Sequence, residues 1–200
     1  MDRPHPPEAL FNNEFERFRV ADEVLAWTRA TFMDRDSPLY NAEHDHLRDA
    51  KIGMLWTTIE NVRQMRRVAA QAEMTAAQGS KWTKARSEQQ LGAWFGELPD
   101  FIITIDAVFA ATISDLDWCA LVEHELLHCA QSKDKYGTPK FDRYGSPVYA
   151  IRGHDVEEFT SIVARYGVGG DQNLQKFIEA ATMQPSIGAM DIGKCCGNCL

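Results

Sequence analysis

The pentapeptide His124-Glu125-Leu126-Leu127-His128 contains the residues whose types and spacing could do chemistry. On a helix, residues four positions apart lie about 40° apart around the axis, so both imidazoles would project from one face. Two imidazoles on one face can bind a single zinc ion. Glu125 would lie beside that ion, where a carboxylate can take a proton from a water and later donate it to a leaving amine. The pattern therefore predicts a zinc site that could hydrolyse an amide bond.

The residues around the pentapeptide predict a helix that could present it. Ser114 can cap the start of this helix, and Asp117 then occupies its third position. Residues 115–131 contain no Gly or Pro, so nothing breaks the helix before its end. At about 100° per residue, an apolar set falls opposite the histidines: Cys119, Val122, Leu126 and Ala130. We expect this apolar side to be buried while the histidines face a cleft.

A hydrolytic zinc site needs a third protein ligand and an open fourth position. The best candidate is His154, which follows a glycine at the start of a predicted helix over residues 156–166. Glu157 or Glu158 could serve instead, because zinc also accepts a carboxylate as its third ligand. The acidic side chains here could also orient a ligating imidazole by accepting its second N–H. The sequence favours His154 and leaves the two glutamates open.

Amide hydrolysis also needs a donor that stabilises the oxyanion formed during attack. Candidates by proximity along the chain, among which the sequence does not choose, are Tyr136, Tyr144, Tyr149 and Arg152. Residues 134–151 contain several Gly and Pro residues, which predicts a hairpin or an irregular loop that covers the cleft. An extended peptide substrate could pair with an exposed strand edge near that cleft.

Hydrophobic periodicity predicts the elements that must position these residues. Aromatic and leucine side chains near helical spacing predict a first helix over residues 14–32. An apolar run bounded by Pro99 and Asp106 predicts a buried strand over residues 101–105. This strand would precede the helix that carries the two histidines of the pentapeptide. We further predict strands over 51–59 and 67–73, a polar loop near 79–84, and a last helix over 172–182. No internal repeat is apparent.

These elements predict a single zincin-like α+β domain over residues 14–183. Its small mixed sheet would pack against the helix that carries residues 124–128, which form an HExxH motif. It would also pack against a second helix that carries a metal ligand. Residues 1–13 are expected to form a flexible N-terminus, and residues 184–200 a flexible tail. The tail contains three cysteines whose role the sequence does not assign: Cys195, Cys196 and Cys199. Because a closed zinc site needs four ligands, we expect an oxidisable tail rather than a metal site, unless another copy completes one.

Composition limits the partners. The 200-residue chain has a formal net charge of -8, which makes it a poor nonspecific binder of phosphate backbones. Nucleic-acid binding would rest on one local basic strip and has no support from net charge. The chain start does not resemble a signal peptide, and no apolar run approaches the ~20 residues that cross a membrane. We expect a cytoplasmic protein with a protein or peptide substrate and no membrane partner; oligomeric state is not predicted.

Three segments together resemble the phage metallopeptidase domain, a family of bacteriophages and prophages similar in layout to SprT-like zincins. They are residues 98–107, 120–131 and 152–159, and residues 41–47 followed by 52–57 also fit. The resemblance spans roughly residues 38–167. It implies a zincin fold, one catalytic Zn²⁺ bound by His124 and His128, and Glu125 as general base. In SprT-like proteins a Gly-His pair supplies the third ligand, which corresponds to Gly153-His154. A phage protein would act in the cytoplasm of the infected bacterium.

Three other functions remain open on this sequence. The first is an SprT-like protease that acts on DNA-bound proteins, which DNA-stimulated cleavage would favour. The second is a peptidase of cell-wall cross-links, against which the missing export signal argues. The third is a zinc-stabilised binding or regulatory protein without turnover, in which all four metal positions would be filled by protein. In that case Glu125→Gln would leave biological function unchanged.

Overall fold

The computed structural model of the protein describes residues 2–63, 65–75, 79–156, 163–164, 167–168, 172–190 and 196–198. A four-stranded mixed sheet forms the centre of its α+β domain. Strand β1 (Phe18–Val20) pairs antiparallel with β2 (Ile52–Thr57), and β2 pairs parallel with β6 (Phe101–Asp106). Strand β6 then pairs antiparallel with β5 (Ala70–Met74), which forms one edge of the sheet. The prediction of an α+β fold with a small mixed sheet is confirmed.

The two central strands are mostly apolar because both faces of the sheet are covered. Every residue of β2 is buried, and Thr104 is the single residue of β6 that is not. Strands covered on both faces show continuous apolar runs instead of alternation. That pattern predicted the strand over residues 101–105, which the structure confirms with one further residue. The strand predicted over 51–59 is also confirmed, while the one predicted over 67–73 begins at Ala70.

Helices and short elements surround this sheet. Helix α2 (Asp22–Thr28) continues into a π-helical turn (Arg29–Met33), and a 3₁₀ helix follows at Ala42–Leu47. The other helices are α1 (Glu8–Phe11), α3 (Lys81–Phe95), α4 (Ala107–Ala110), α5 (Asp115–His128) and α6 (Gln172–Thr182). The short strands are β3 (Val62–Arg63), β4 (Arg66–Arg67), β7 (Cys129–Gln131) and β8 (Tyr149–Ile151). Helix α6 has the bounds that the sequence predicted. No helix in the described ranges is both long enough and apolar enough to span a bilayer.

Helix α5 packs on the sheet through its apolar side. Ser114 caps it as predicted, since its hydroxyl accepts the Asp117 N–H at 3.2 Å. The Trp118 ring stacks on Trp56 of β2, with ring centroids 5.5 Å apart. Such aromatic pairs stabilise by about 0.5–1.5 kcal/mol beyond the burial of their area. The helix ends at His128, where Cys129 takes an extended conformation and starts β7. It is therefore shorter than the predicted 115–131.

A two-stranded ribbon follows α5. Strands β7 and β8 pair antiparallel, which agrees with the hairpin that we predicted over residues 134–151. Between them the chain forms two similar turns, at residues 134–138 and 142–146. In each, the first aspartate accepts two backbone N–H groups and a glycine takes a positive φ. The sequences DKYGTP and DRYGSP are thus an internal repeat that our sequence analysis missed.

The prediction of one helix over residues 14–32 is wrong. Phe18–Val20 forms β1, and a helix begins only at Asp22. The aromatic side chains before residue 20 happen to fall near helical spacing, but the backbone of this stretch completes the sheet by pairing with β2. Tertiary pairing therefore overrides a weak helical pattern.

The polar loop predicted near residues 79–84 is also wrong, because α3 begins at Lys81. Ser80 caps it by accepting the Thr83 N–H, and Gly96 ends it with a φ of 78°. None of the residues of α3 is fully buried, so it lacks the apolar stripe by which a sequence reveals a helix. The helix predicted over 156–166 lies mainly outside the described residues.

Candidate metal centre

Three histidines converge at the end of α5. The Nε2 atom of His124 lies 3.2 Å from Nε2 of His128 and 3.1 Å from Nε2 of His154. Two nitrogens bound to one tetrahedral zinc at ~2.0–2.1 Å would be about 3.3 Å apart. The separations thus match those of ligands around one ion. Together with the Cys196 thiol, these side chains offer four donor atoms that all lie within 4.8 Å of one another.

The pairing of β7 with β8 brings His154 to the helix. The backbone N–H of Arg152 donates to the His128 carbonyl at 2.9 Å, which continues the ladder into the last residue of α5. The His128 side chain lies 2.7 Å from the Arg152 carbonyl through its Nδ1 atom. Because a carbonyl only accepts, Nδ1 carries the proton and Nε2 keeps its lone pair for the centre. One short ribbon therefore fixes the position and the tautomer of a candidate ligand.

The electrostatics of the site keep the imidazoles of His124 and His128 neutral. Burial, with smaller contributions from the neighbouring His128 and His154, lowers the pKa of His124 to about 4. Burial also lowers the pKa of His128, although the Arg152 carbonyl opposes this effect. A neutral imidazole has a free lone pair, whereas a protonated one cannot bind a cation. The centre is therefore ready to accept a metal at neutral pH.

Glu125 is fully buried beside the histidines. Among the described residues, neither of its carboxylate oxygens completes a hydrogen bond. Burial raises the pKa of Glu125 to about 7, although the nearby Cys196 side chain and Ala72 backbone act in the opposite direction. A buried carboxylate without partners is costly unless something in the site uses it. Its position beside a metal-compatible donor set supplies such a use.

The 3₁₀ helix supports the end of α5, a role that sequence reasoning missed. The His46 Nε2 atom lies 2.8 Å from the carbonyl oxygen of Cys129, the residue that joins α5 to β7. On the preceding turn of α5, Glu123 accepts the Asn41 side-chain amide at 2.9 Å. Both contacts come from residues 41–46, so this segment holds the helix that carries the candidate ligands.

The candidate oxyanion donors occupy different surroundings. Tyr136 and Tyr144 are exposed at the two turns of the ribbon. Tyr149 packs against Phe101 with ring centroids 5.2 Å apart. The Arg152 guanidinium pairs with Asp155 of its own loop. Their role as donors stays a prediction. The alternative ligands Glu157 and Glu158 lie outside the described residues.

The sequence did not single out Cys196 as a member of this centre. Its side chain is buried, and its sulfur lies 3.2 Å from Nε2 of His128. This placement differs from the flexible tail that we predicted, because residues 196–198 contact the open edge of β5. The cluster of cysteines was the available signal, but spacing alone does not show which surface a tail contacts. Cys195 and Cys199 lie outside the described residues.

Comparison with known proteins identifies the family. The model of the family described as "Putative phage metallopeptidase" matches residues 25–182 of the 200-residue chain. Comparisons with curated proteins and with solved structures gave no match. The matched range includes α5, the ribbon and all three converging histidines, and it ends before Cys196. A peptidase family implies a protein or peptide substrate, and the His/Cys cluster is a candidate site for its metal. Because the match covers more than half of the chain, the protein belongs to this family of phage metallopeptidases.

Proposed function

We propose that the protein is a zinc-dependent, zincin-type peptidase that hydrolyses peptide bonds, encoded by a phage or prophage. One observation carries the proposal: three imidazole nitrogens converge, at 3.1–3.2 Å from His124 to each of the others, beside a buried glutamate. A donor set of imidazoles and a thiol favours zinc over the harder Mg²⁺ or Ca²⁺. The residues present therefore fit a zinc ion, with His124, His128 and His154 as its ligands.

Glu125 is the proposed general base. When bound, zinc polarises a scissile carbonyl and lowers the pKa of a coordinated water. Glu125 takes the proton of the attacking water and returns it to the leaving amine. Burial raises the pKa of Glu125 to about 7 in the metal-free protein, and a bound cation beside it would favour the carboxylate that accepts the proton. The Nδ1–H of His128 donates to the Arg152 carbonyl, and this hydrogen bond keeps the imidazole oriented.

The edge of β5 is the proposed binding surface for substrate. An extended peptide can add to a strand edge through backbone hydrogen bonds, which gives affinity with little dependence on sequence. The carbonyl oxygens of Ala70 and Ala72 accept hydrogen bonds along this edge from residues outside the sheet. Contacts between β5 and α5 bring that edge close to the helix of the candidate ligands.

The general-base proposal predicts that Glu125→Gln abolishes cleavage without removing the metal. Loss of a positioned general base costs about 10²–10⁴-fold in rate. The measurement is cleavage of labelled casein and of a fluorogenic peptide library by the zinc-loaded protein, together with its zinc content. Glu88→Gln, an exposed glutamate of α3, is the control and should behave as wild type. Full cleavage by Glu125→Gln would contradict the proposal.

The ligand proposal predicts that His154→Ala weakens zinc binding. We expect affinity to fall by more than about 100-fold, because even loss of a residue that only supports a ligand costs 10–100-fold. The measurement is competition for zinc with a chromogenic chelator. His5→Ala, at an exposed histidine, should leave the affinity unchanged. Undiminished zinc binding in His154→Ala would move the third-ligand assignment to Glu157 or Glu158.

One observation favours a second candidate function. The cluster contains four protein donors, and a zinc site filled by four protein ligands is typical of a structural centre. The protein would then be a zinc-stabilised binding protein without turnover. The Glu125→Gln experiment separates the two, because a structural centre gives no zinc-dependent cleavage in the wild type for the substitution to abolish.

A further inference from the structure

We propose that Cys196 is a fourth zinc ligand of the same centre, and that segment Cys196–Asn198 holds the peptidase in an inhibited state. The inference rests on the proposed function, which needs an open metal position and an accessible strand edge. The segment fills both. Displacement of this short segment would expose both together.

The position of the sulfur supports ligation. It lies 3.2 Å from Nε2 of His128, and the whole four-atom cluster fits within 4.8 Å. A thiolate is a preferred zinc ligand, and three imidazoles with one thiolate complete a tetrahedron. A catalytic zinc site has three protein ligands and leaves the fourth position for water or substrate. With Cys196 in that fourth position, no water can be activated there.

The backbone of the segment occupies the edge of β5. Cys196 forms a parallel bridge with Ala70, and the Gly197 N–H donates to the Ala70 carbonyl at 2.8 Å. The Asn198 side-chain amide donates to the Ala72 carbonyl at 2.8 Å. The Gly197 bond is one that an added strand would make, and the Asn198 side chain takes the place of a second such donor, so the segment imitates a bound peptide. It therefore competes with substrate for the same carbonyl groups.

Gly197 makes this close approach feasible. A Cβ atom at this position would lie 2.7 Å from Cβ of Gln71 and 2.8 Å from Cγ1 of Val68. Real Cβ atoms do not approach other atoms so closely, so a side chain here would push the segment off the strand. The Arg63 guanidinium also donates to the Gly197 carbonyl, from the neighbouring β3. The surface thus offers specific contacts to a segment with glycine at this position.

The strength of the contacts makes the inhibition reversible. Three hydrogen bonds hold the segment to the domain, which is too few to offset the conformational entropy of a docked chain segment by a wide margin. The zinc–sulfur bond would supply the remainder. A peptide that binds the β5 edge, or removal of the thiol, is then enough to open the site.

The first test measures ligation without activity. We replace zinc by Co²⁺ and record the absorption of the full-length protein, in which a cobalt-bound thiolate gives a charge-transfer band. Wild type and Cys119→Ser, a matched cysteine of α5 outside the cluster, should show the band. Cys196→Ser should lose the band and still bind one equivalent of Co²⁺. A band that persists in Cys196→Ser, or that is absent from wild type, would overturn the ligation.

The second test measures inhibition with two independent variants. Cys196→Ser removes the thiol, whereas Gly197→Val retains it and prevents docking on β5. If the docked state holds about nine in ten molecules, either variant raises the rate of peptide cleavage about tenfold. Thermal melting of each variant confirms that the domain is folded, and Cys119→Ser should cleave at the wild-type rate.

The outcomes separate the two proposals. Loss of the cobalt band with an unchanged cleavage rate would overturn the inhibition and leave the peptidase standing. Cleavage by neither wild type nor the two variants would overturn the peptidase and the inhibition together, while the band still decides the ligation. Both proposals are supported if Cys196→Ser raises the rate of peptide cleavage and the added substitution Glu125→Gln abolishes that cleavage.

Discussion

Two glutamates within one turn of α5 show how the environment gives different properties to identical residues. Glu123 faces His44 and accepts a hydrogen bond from the Asn41 amide, and these contacts hold the pKa of Glu123 below its usual range. Glu125 is deeper, has no hydrogen-bond partner among the described residues, and has a pKa raised to about 7. A carboxyl group suited to general-base chemistry is thus produced by burial rather than by residue type. The sequence motif identified Glu125 as the candidate general base, and the structure gives the physical reason.

Gly53 provides a prediction at the residue scale. A Cβ atom on this glycine of β2 would lie 2.6 Å from the Phe95 ring at the end of α3. Gly53→Ala should therefore destabilise the protein by about 1–3 kcal/mol, the usual cost of overpacking. Gly92→Ala is the matched control. Gly92 lies in α3, as Phe95 does, and no atom lies within 4 Å of the position that its Cβ would take. This substitution should stabilise by about 0.5–1 kcal/mol. Urea unfolding measures both, and equal effects would contradict the packing described.

Elements with a buried face or sharp boundaries were predictable from sequence, and the others were not. Strand β6 was predictable from its apolar run, and helix α5 from its N-terminal cap and its apolar side, because buried positions require apolar residues. Helix α3 carries an exposed Trp82 and no fully buried residue, so periodicity could not reveal it. His154 was predicted because few histidines follow the motif. Its contact with His124 depends on strand pairing over a long loop, which local patterns do not encode.

The ribbon provides a prediction at the scale of elements. Ala150 of β8 pairs with Ala130 of β7, and this register places Arg152 and His154 beside α5. Ala150→Pro removes an N–H and distorts the ladder, so it should lower zinc affinity by about 10–100-fold. The four-stranded sheet should stay folded, because β7 and β8 form a separate sheet. Chelator competition and far-UV circular dichroism measure the two effects. Ala150→Ser keeps the N–H and should bind zinc as wild type does.

At the scale of the whole molecule, the three histidines proposed as metal ligands lie together, and the α+β class with its small mixed sheet followed from sequence. The position of Cys196 did not. Its contacts join the far end of the chain to β5, and the free energies involved are small sums of backbone hydrogen bonds. Sequence patterns carry little information about such contacts, because almost any residue offers the same backbone groups.

Zinc binding should stabilise the entire domain. A ligand at about 1,000 times its Kd adds about 4 kcal/mol to the free energy of unfolding. For a chain of this size that corresponds to a rise in Tm of about 8–16 °C. Melting curves with zinc and with a chelator test the prediction. His124→Ala should show a much smaller rise, and an equal rise in that variant would place the bound metal elsewhere.

The backbone hydrogen bonds at the base of the ribbon form a closed triangle. Ser132 donates to Val148, Val148 donates to Lys140, and Lys140 donates to Ser132, so each eight-residue repeat is a loop that returns to its starting point. Removing one repeat would leave Ser132 and Val148 as an ordinary reciprocal pair, with both flanking strands in the same register. The number of residues between His128 and His154 is therefore free to change in steps of a whole loop while the distance between their rings stays fixed. A search for related centres should therefore allow the interval between the two histidines to vary in steps of eight residues.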